Sequence, residues 1–393
     1  MEFSRRNLLS AGLATGALAT GAFVAHAAGS TLGASNSSVQ NLGTEQNPLK
    51  IGYVPIVDAA PLLIAHERGD FKAQGIYTAA PVLFRSWSSL VEAFIARRVD
   101  IIHLLMPMSL YLRYQLRVDA KVLGWNHTNG SALTLDPSLE SVEQLAGRTL
   151  AVPSWFSIHN IIVQQRLRAA NLRPVIRALP DASRSEVGLI VMSPADMIPA
   201  LAAQTIAGFA VADPFNAAAN LRSTGRIEQY LGDMWRDHAC CATVVHGDIA
   251  RSGTLAEDIA AALVSASAYT RTDREASATI LSDSYLPQDA RSIAYALAEH
   301  EAGSAGELCT HSDWRGNRLD FAPFPYESYT RELVQQFSRT LVDAPTGFLS
   351  SLHAESVHSD LVHDAPVRTA LSAYGLQAFN MSGFERNEEV SFG

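Results

Sequence analysis

From Lys50 onward the chain alternates short apolar runs with amphipathic segments at a regular spacing, and this alternation limits the architecture more than any other feature. Lys50–Ile56, Pro81–Arg85 and Val99–Leu104 read as strands. Each hands over to a helix: Leu62–Gly69, opened by Asp58 and Pro61; Leu90–Arg98, opened by Ser86–Ser89; and one starting at Met106–Ser109. Strands separated by helices form βαβ units, and βαβ units form parallel sheets with helices on their faces. The expected fold class is therefore α/β. Lys121–Asn126 and Ser131–Leu135 read as a hairpin-like pair around His127–Gly130. After Asp136-Pro137 the alternation restarts: helix Ser141–Ala146, strand Thr149–Val152, helix Ser157–Asn171 and strand Val187–Met192. Helix Met197–Gln204 and strand Thr205–Ala212 follow, then Asp213-Pro214, and His238–His246 returns as a strand. Beyond about Leu255 the periodicity is helical, broken by Phe321–Tyr326. Two lobes follow from this order, the first from 49–135 plus 243–393 with the C-terminal helices, the second from 136–242.

The N-terminus reads as an address. Ser4-Arg5-Arg6-Asn7 precedes a weakly apolar Gly/Ala-rich stretch ending in Ala25-His26-Ala27, the layout of an export signal of twin-arginine type. Residues 1–27 are expected to be cleaved, with 28–48 a flexible lead-in, and with no cysteine near the cleavage point the mature chain is not expected to carry a lipid anchor. A periplasmic or extracytoplasmic location follows. With 30 basic against 39 acidic side chains among 393 residues, net charge −9, a nucleic-acid surface is not expected. Past the N-terminus no apolar run reaches the roughly 20 residues that span a bilayer.

Three cysteines, Cys240, Cys241 and Cys309, cannot make a disulfide framework. Side chains of neighbouring strand residues point to opposite faces, so at least one of Cys240 and Cys241 is expected to be a plain buried apolar residue. His238, Cys240, Cys241 and His246 are the best metal-ligand candidates by residue type, but on a strand they diverge, and no metal or cofactor is expected. No nucleophile elbow, phosphate loop or dinucleotide fingerprint is present, so the chain is not read as an enzyme.

Ligands of open α/β sheets collect at the carboxyl edge, where helix N-termini offer unpaired N–H groups and partial positive charge. Four such ends are expected to converge: Asp58, Ala59 and Ala60; Trp87 and Ser88; Met108 and Ser109; Ser157, His159 and Asn160. Asn126 and Asn129 add amides, and Trp87 and Trp125 could wall an apolar part of a ligand. Asp58 reads either as the cap of its own helix or as the partner of an amine. Asp213 reads as a strand-end turn residue or a ligand contact, and Arg85 and Arg113 as candidate countercharges.

The run Gly52–Leu62 with Ala65–Phe71 resembles the opening of solute-binding proteins of ABC importers, the nitrate, bicarbonate, sulfonate and taurine type. Leu105–Met108, Ser154–Asn160 and Ala212–Asn216 are similar to later segments of the same family, in the same order. The resemblance implies a two-lobed periplasmic-binding-protein-like fold, each lobe a mostly parallel sheet flanked by helices. It implies a small anionic or zwitterionic solute enclosed between the lobes and delivered to an ABC permease and its ATPase, by a protein expected to be a monomer. Nitrate and bicarbonate binders of this type place a lysine near the ligand from the later chain, whereas no lysine follows Lys121 here. The alternative is a thiamine-pyrimidine precursor binder or a synthase-like enzyme of the same fold, whose cysteine run is longer than the pair found here.

Overall fold

The computed structural model describes residues 39, 41–177, 179–298 and 318–392; the export signal and Cys309 lie outside the described residues. Its strands are β1 (Ile51–Tyr53), β2 (Val82–Leu83), β3 (Ile101–Leu105), β4 (Ala120–Trp125), β5 (Thr128–Asn129), β6 (Ser131–Leu135), β7 (Thr149–Val152), β8 (Arg173–Val175), β9 (Glu186–Val191), β10 (Gly208–Ala212), β11 (Arg226–Tyr230), β12 (Cys241–His246) and β13 (Leu319–Asp320). They make a five-stranded sheet in the order β2-β1-β3-β12-β4 and a six-stranded sheet in the order β11-β6-β10-β7-β9-β8; β13 pairs with β5. The α/β class with two sheets is as expected.

Each sheet is parallel on one side and antiparallel on the other. β1 pairs parallel with β2 and β3, but β12 runs antiparallel to both β3 and β4. In the second sheet β7, β8, β9 and β10 are parallel neighbours, whereas β6 is antiparallel to β10 and β11. The antiparallel strands are those next to the points where the chain passes between sheets. It leaves the first sheet after β4, enters the second at β6, and returns between β11 and β12. Two expectations change here. β4 and β6 do not pair as a hairpin, since alternation identifies a strand but not its partner. The second sheet therefore starts at Ser131 rather than 136.

The first crossing is sharply bent. Asn129 has φ 60° and Gly130 φ 67°, the left-handed region that glycine and asparagine enter most readily. The lead-in is also more ordered than expected from about residue 41. Gly43 accepts a hydrogen bond from the Tyr77 N–H at 2.7 Å, and Leu49 N–H donates to the Tyr77 carbonyl at 2.8 Å.

The apolar core is continuous across the two sheets. One cluster joins Ile102, Leu104 and Val244 of the first with Leu133, Leu150 and Phe209 of the second. The C-terminal segment belongs to this closure. His363 N–H donates to the Val122 carbonyl and Trp125 N–H to the Pro323 carbonyl, both at 2.8 Å, so the segment covers the β4 side of the first sheet. It also reaches the second lobe, where the Leu341 carbonyl accepts from the Asn160 and Gln164 amides at 3.1 and 2.8 Å.

Candidate functional site

At the junction of the crossings and the first sheet, four side chains from distant parts of the sequence meet in the interior. Asp58 lies in a one-turn 3-10 helix, Val57–Ala59, that precedes the helix Ala60–Glu67. This extra turn displaces it from the cap position: Ala59 is the N-cap and no side chain caps the helix. Asp58 is fully buried, and His127 Nε2 on the first crossing lies 2.6 Å from its Oδ2, itself fully buried. Cys240 and Cys241 come from the return crossing, where their Sγ atoms are 3.8 Å apart and fully buried. One ligand-capable atom from each of Asp58, His127, Cys240 and Cys241 falls within 4.8 Å of every other.

Both thiols face the same cluster because Cys240 precedes β12 rather than lying in it, so strand alternation does not separate the pair. Both are buried in the core, as expected of at least one of them, but their side chains are not on opposite faces. His238 and His246 do not join the group. His238 Nδ1 sits 2.8 Å from the Trp235 carbonyl, and His246 stacks on Phe94 with ring centroids 3.8 Å apart.

The electrostatics follow from burial and close pairing. Burial pushes the Asp58 carboxyl up to about 7, against the pull of the His127 charge. Burial would lower His127, but Asp58 and Cys240 beside it hold the imidazole up at about 10. For Cys240, burial is outweighed by the Cys241 thiol and the His159 and His127 imidazoles, so its thiol is held well below the usual value; Cys241, buried beside it, is pushed up. Asp58 Oδ2 and His127 Nε2 pair with each other at 2.6 Å, while Asp58 Oδ1 and His127 Nδ1 have no hydrogen-bond partner of good geometry. Buried polar atoms are nearly always bonded, so these are the exception that marks a site.

The second lobe contributes His159, in the first turn of the helix Ile158–Ala169. Its Nε2 lies 2.9 Å from Ser131 Oγ and 3.9 Å from Cys240 Sγ, and its Nδ1 has no partner. Two further buried donors lack partners, Trp87 Nε1 and Asn126 Nδ2. Trp87 stands edge-on to His103 at 5.3 Å, while Asn126 Oδ1 accepts from the Thr243 hydroxyl at 2.7 Å. Ala59 and Ala60 are buried in the Asp58 turn.

Other predicted residues have structural occupations. Ser157 caps its helix, accepting from Asn160 N–H at 3.1 Å while donating to the Ser154 carbonyl at 2.8 Å. Asn160 donates to Trp155 and Leu341 and accepts from Gln164. Asn129 donates to Asp237 at 2.9 Å. Asp213, ahead of a cis peptide to Pro214, accepts from Ala217 N–H through its side chain. Its backbone carbonyl accepts from Val57 N–H and its N–H donates to the Gly130 carbonyl, so it ties both lobes at the crossing. Ser88 is exposed and contacts Ser86, which removes it from the interior. Met108 is core, and the buried Ser109 hydroxyl points back to the Leu105 carbonyl. Trp125 lies under Tyr326, Tyr329 and Arg386. Arg113 is engaged by Asp119 and Asp360, and Arg85 is exposed.

Because Ser157 supplies both an acceptor and a donor, Ser157→Ala is expected to lower stability by about 1 kcal/mol, read from urea unfolding. Ser157→Asp keeps the capping acceptor but sets a second oxygen against the Ser154 carbonyl, so it is expected to unfold at lower urea than the alanine variant.

With the geometry described, comparison with known proteins places the chain. Residues 42–282, more than half of it, match the NMT1-like family. The chain belongs to this family. Among curated relatives, a bicarbonate transport ATP-binding protein CmpC of Synechocystis is 28% identical over 51% of this chain and 32% of its own length. A nitrate/nitrite binding protein NrtA of Nostoc is 24% identical over 52% of this chain and 50% of its own. The chain thus spans about a third and a half of the lengths of these two curated relatives. The solved periplasmic nitrate-binding protein NrtA of Synechocystis shares the fold, with TM-score 0.75 and 19% identity over 88% of this chain and 94% of that one. These relatives are named for bicarbonate transport and for nitrate binding, and do not favour the thiamine-precursor alternative. Sequence reasoning missed His127, which sits in a polar loop with no local sign of burial.

Proposed function

We propose that this NMT1-like protein is the exported, non-catalytic solute-binding component of an ABC importer for a small solute of the nitrate, bicarbonate, sulfonate or taurine class. The observation that carries the reading is the set of buried polar atoms without partners, Trp87 Nε1 and Asn126 Nδ2 from the first lobe and His159 Nδ1 from the second. Neutral donors of this kind hold an anion without a lysine or arginine, and burial makes each bond selective because an unmatched polar atom is costly. The family match and the relatives named for nitrate binding and for ATP-driven transport support the same reading, as does the twin-arginine-like start.

Ligand bridging the first sheet and the helix Ile158–Ala169 favours the closed arrangement, which a permease then recognises. Opening must also carry the Leu341 segment, whose carbonyl is bonded to that helix.

The test is thermal unfolding of the mature chain in nitrate, bicarbonate, taurine and short alkanesulfonates. A solute at 100 times its Kd stabilises by about 2.7 kcal/mol, and the melting temperature is expected to rise with at least one of them. Trp87→Phe keeps the ring and deletes one N–H, so it is expected to weaken that solute about tenfold or more. No response to any compound of these classes ends the proposal.

A further inference from the structure

We propose that Asp58, His127, Cys240 and Cys241 form a binding site for a thiophilic divalent cation of the zinc class, an inference that goes beyond the solute reading and does not depend on it. Two sulfurs, one imidazole nitrogen and one carboxylate oxygen are a donor set for zinc-like ions, whereas calcium and magnesium take oxygen ligands almost exclusively. All four side chains are fully buried. They come from three segments, the Asp58 turn and the two crossings, that meet here through the fold rather than through local sequence.

The spacing fits a tetrahedral ion. Two sulfurs each about 2.3 Å from one zinc at the tetrahedral angle stand about 3.8 Å apart; Cys240 and Cys241 Sγ are 3.8 Å apart. Bonds of about 2.0 Å to nitrogen and oxygen place those atoms about 3.3 Å apart, so an ion between His127 and Asp58 spreads their 2.6 Å contact by less than an ångström. The surroundings supply an outer shell. His159 Nε2 approaches Cys240 Sγ at 3.9 Å, and the Cys240 and Cys241 carbonyls are tied down by Met106 and Asn126 N–H at 2.8 and 3.0 Å. Binding needs no oxidant or reductant: each coordinating group that carries a proton, whether thiol, Asp58 carboxyl or His127 imidazolium, releases it to solvent as the metal–ligand bond forms. A bound ion fixes both crossings to the Asp58 turn.

The experiment uses the full mature chain, reduced with dithiothreitol, stripped with EDTA, desalted and titrated with Co2+ and then Zn2+. One equivalent of Co2+ is expected to give intense visible tetrahedral bands with a near-ultraviolet thiolate charge-transfer band, and Zn2+ to displace it. Calcium and magnesium are expected to leave the spectrum unchanged. Cys240→Ser/Cys241→Ser is expected to lose the charge-transfer band and to weaken Zn2+ by at least about 100-fold. Circular dichroism of the double variant checks its fold, and Asp58→Asn, which keeps shape and both thiols, provides a second variant with weaker Zn2+ binding. The proposal is overturned if folded, reduced wild type shows no thiolate band, or if the double serine variant binds Zn2+ as wild type does. Anion-induced stabilisation, measured on the same metal-free samples, separates the two readings: nitrate or sulfonate binding without a cobalt spectrum leaves the solute reading intact and removes this one.

Discussion

In metal-free buffer at pH 8, above the value of about 7 to which burial pushes the Asp58 carboxyl, His127→Leu is expected to destabilise the protein by up to about 3–5 kcal/mol, the range for removing one partner of a buried ion pair. Asp58 and His127 are both fully buried, and the side chains clustered with Asp58 after the exchange are Cys240 and Cys241, which offer its carboxylate no positive charge. Leucine fills most of the imidazole volume, so lost packing contributes little and the change reports chiefly on the stranded carboxylate. Asp58→Leu/His127→Leu removes both charges and is expected to recover much of the loss, since buried pairs exchanged for apolar residues are often neutral in stability. The coupling from the four-way cycle of urea unfolding free energies then measures the pair directly. A single-variant loss under about 1 kcal/mol, or a double variant no better than the single, would show that Asp58 is solvated or neutral in the native protein.

The alternation from Lys50 was enough to anticipate both α/β sheets, the two crossings and the helix starts at Ser86 and Ser157, because strand and helix periods are local properties of the chain. What it left open is pairing. Ser131–Leu135 reads as a strand by itself, but only the long-range partners of β6, namely β10 and β11, assign it to the second sheet. The site was legible in part for the same reason. Asp58 stood out by type, yet one additional 3-10 turn changes a helix cap into a buried carboxylate. His127 gave no local signal, since the polar run Asn126–Gly130 looks like an exposed turn until the return crossing and Arg318–Asp320 close over it. Strand alternation puts Cys240 and Cys241 on opposite faces, but Cys240 lies one residue before β12, where the rule does not hold, and the two Sγ atoms are 3.8 Å apart. Ser157 and Asn160 sit at a helix N-terminus that the structure uses for capping and for holding the C-terminal segment.

Acid sensitivity is the second large effect, and His246 is the cleanest place to read it. The ring ends β12, lies parallel to Phe94 and is 2% exposed. Burial, reinforced by the Arg97 charge and opposed by Asp248, lowers its pKa from 6.5 to about 4. The unfolded chain therefore takes up a proton at this residue between about pH 6.5 and 4 that the folded chain refuses. Unfolding that binds a proton becomes easier as pH falls, so the stability present above pH 6.5 is lost progressively down to about pH 4. At about 1.4 kcal/mol per unit for one proton, the loss amounts to about 3 kcal/mol. His103, buried with neither ring nitrogen bonded and lowered chiefly by burial to about 3, adds a slope of the same sign. His246→Phe keeps an aromatic face against Phe94 and cannot titrate. Its stability, measured by urea unfolding at half-unit steps from pH 7 to 4, is expected to fall less steeply than wild type by one proton's worth. Parallel curves for the two proteins would mean that His246 charges freely in the folded state, and that the stack on Phe94 opens to water.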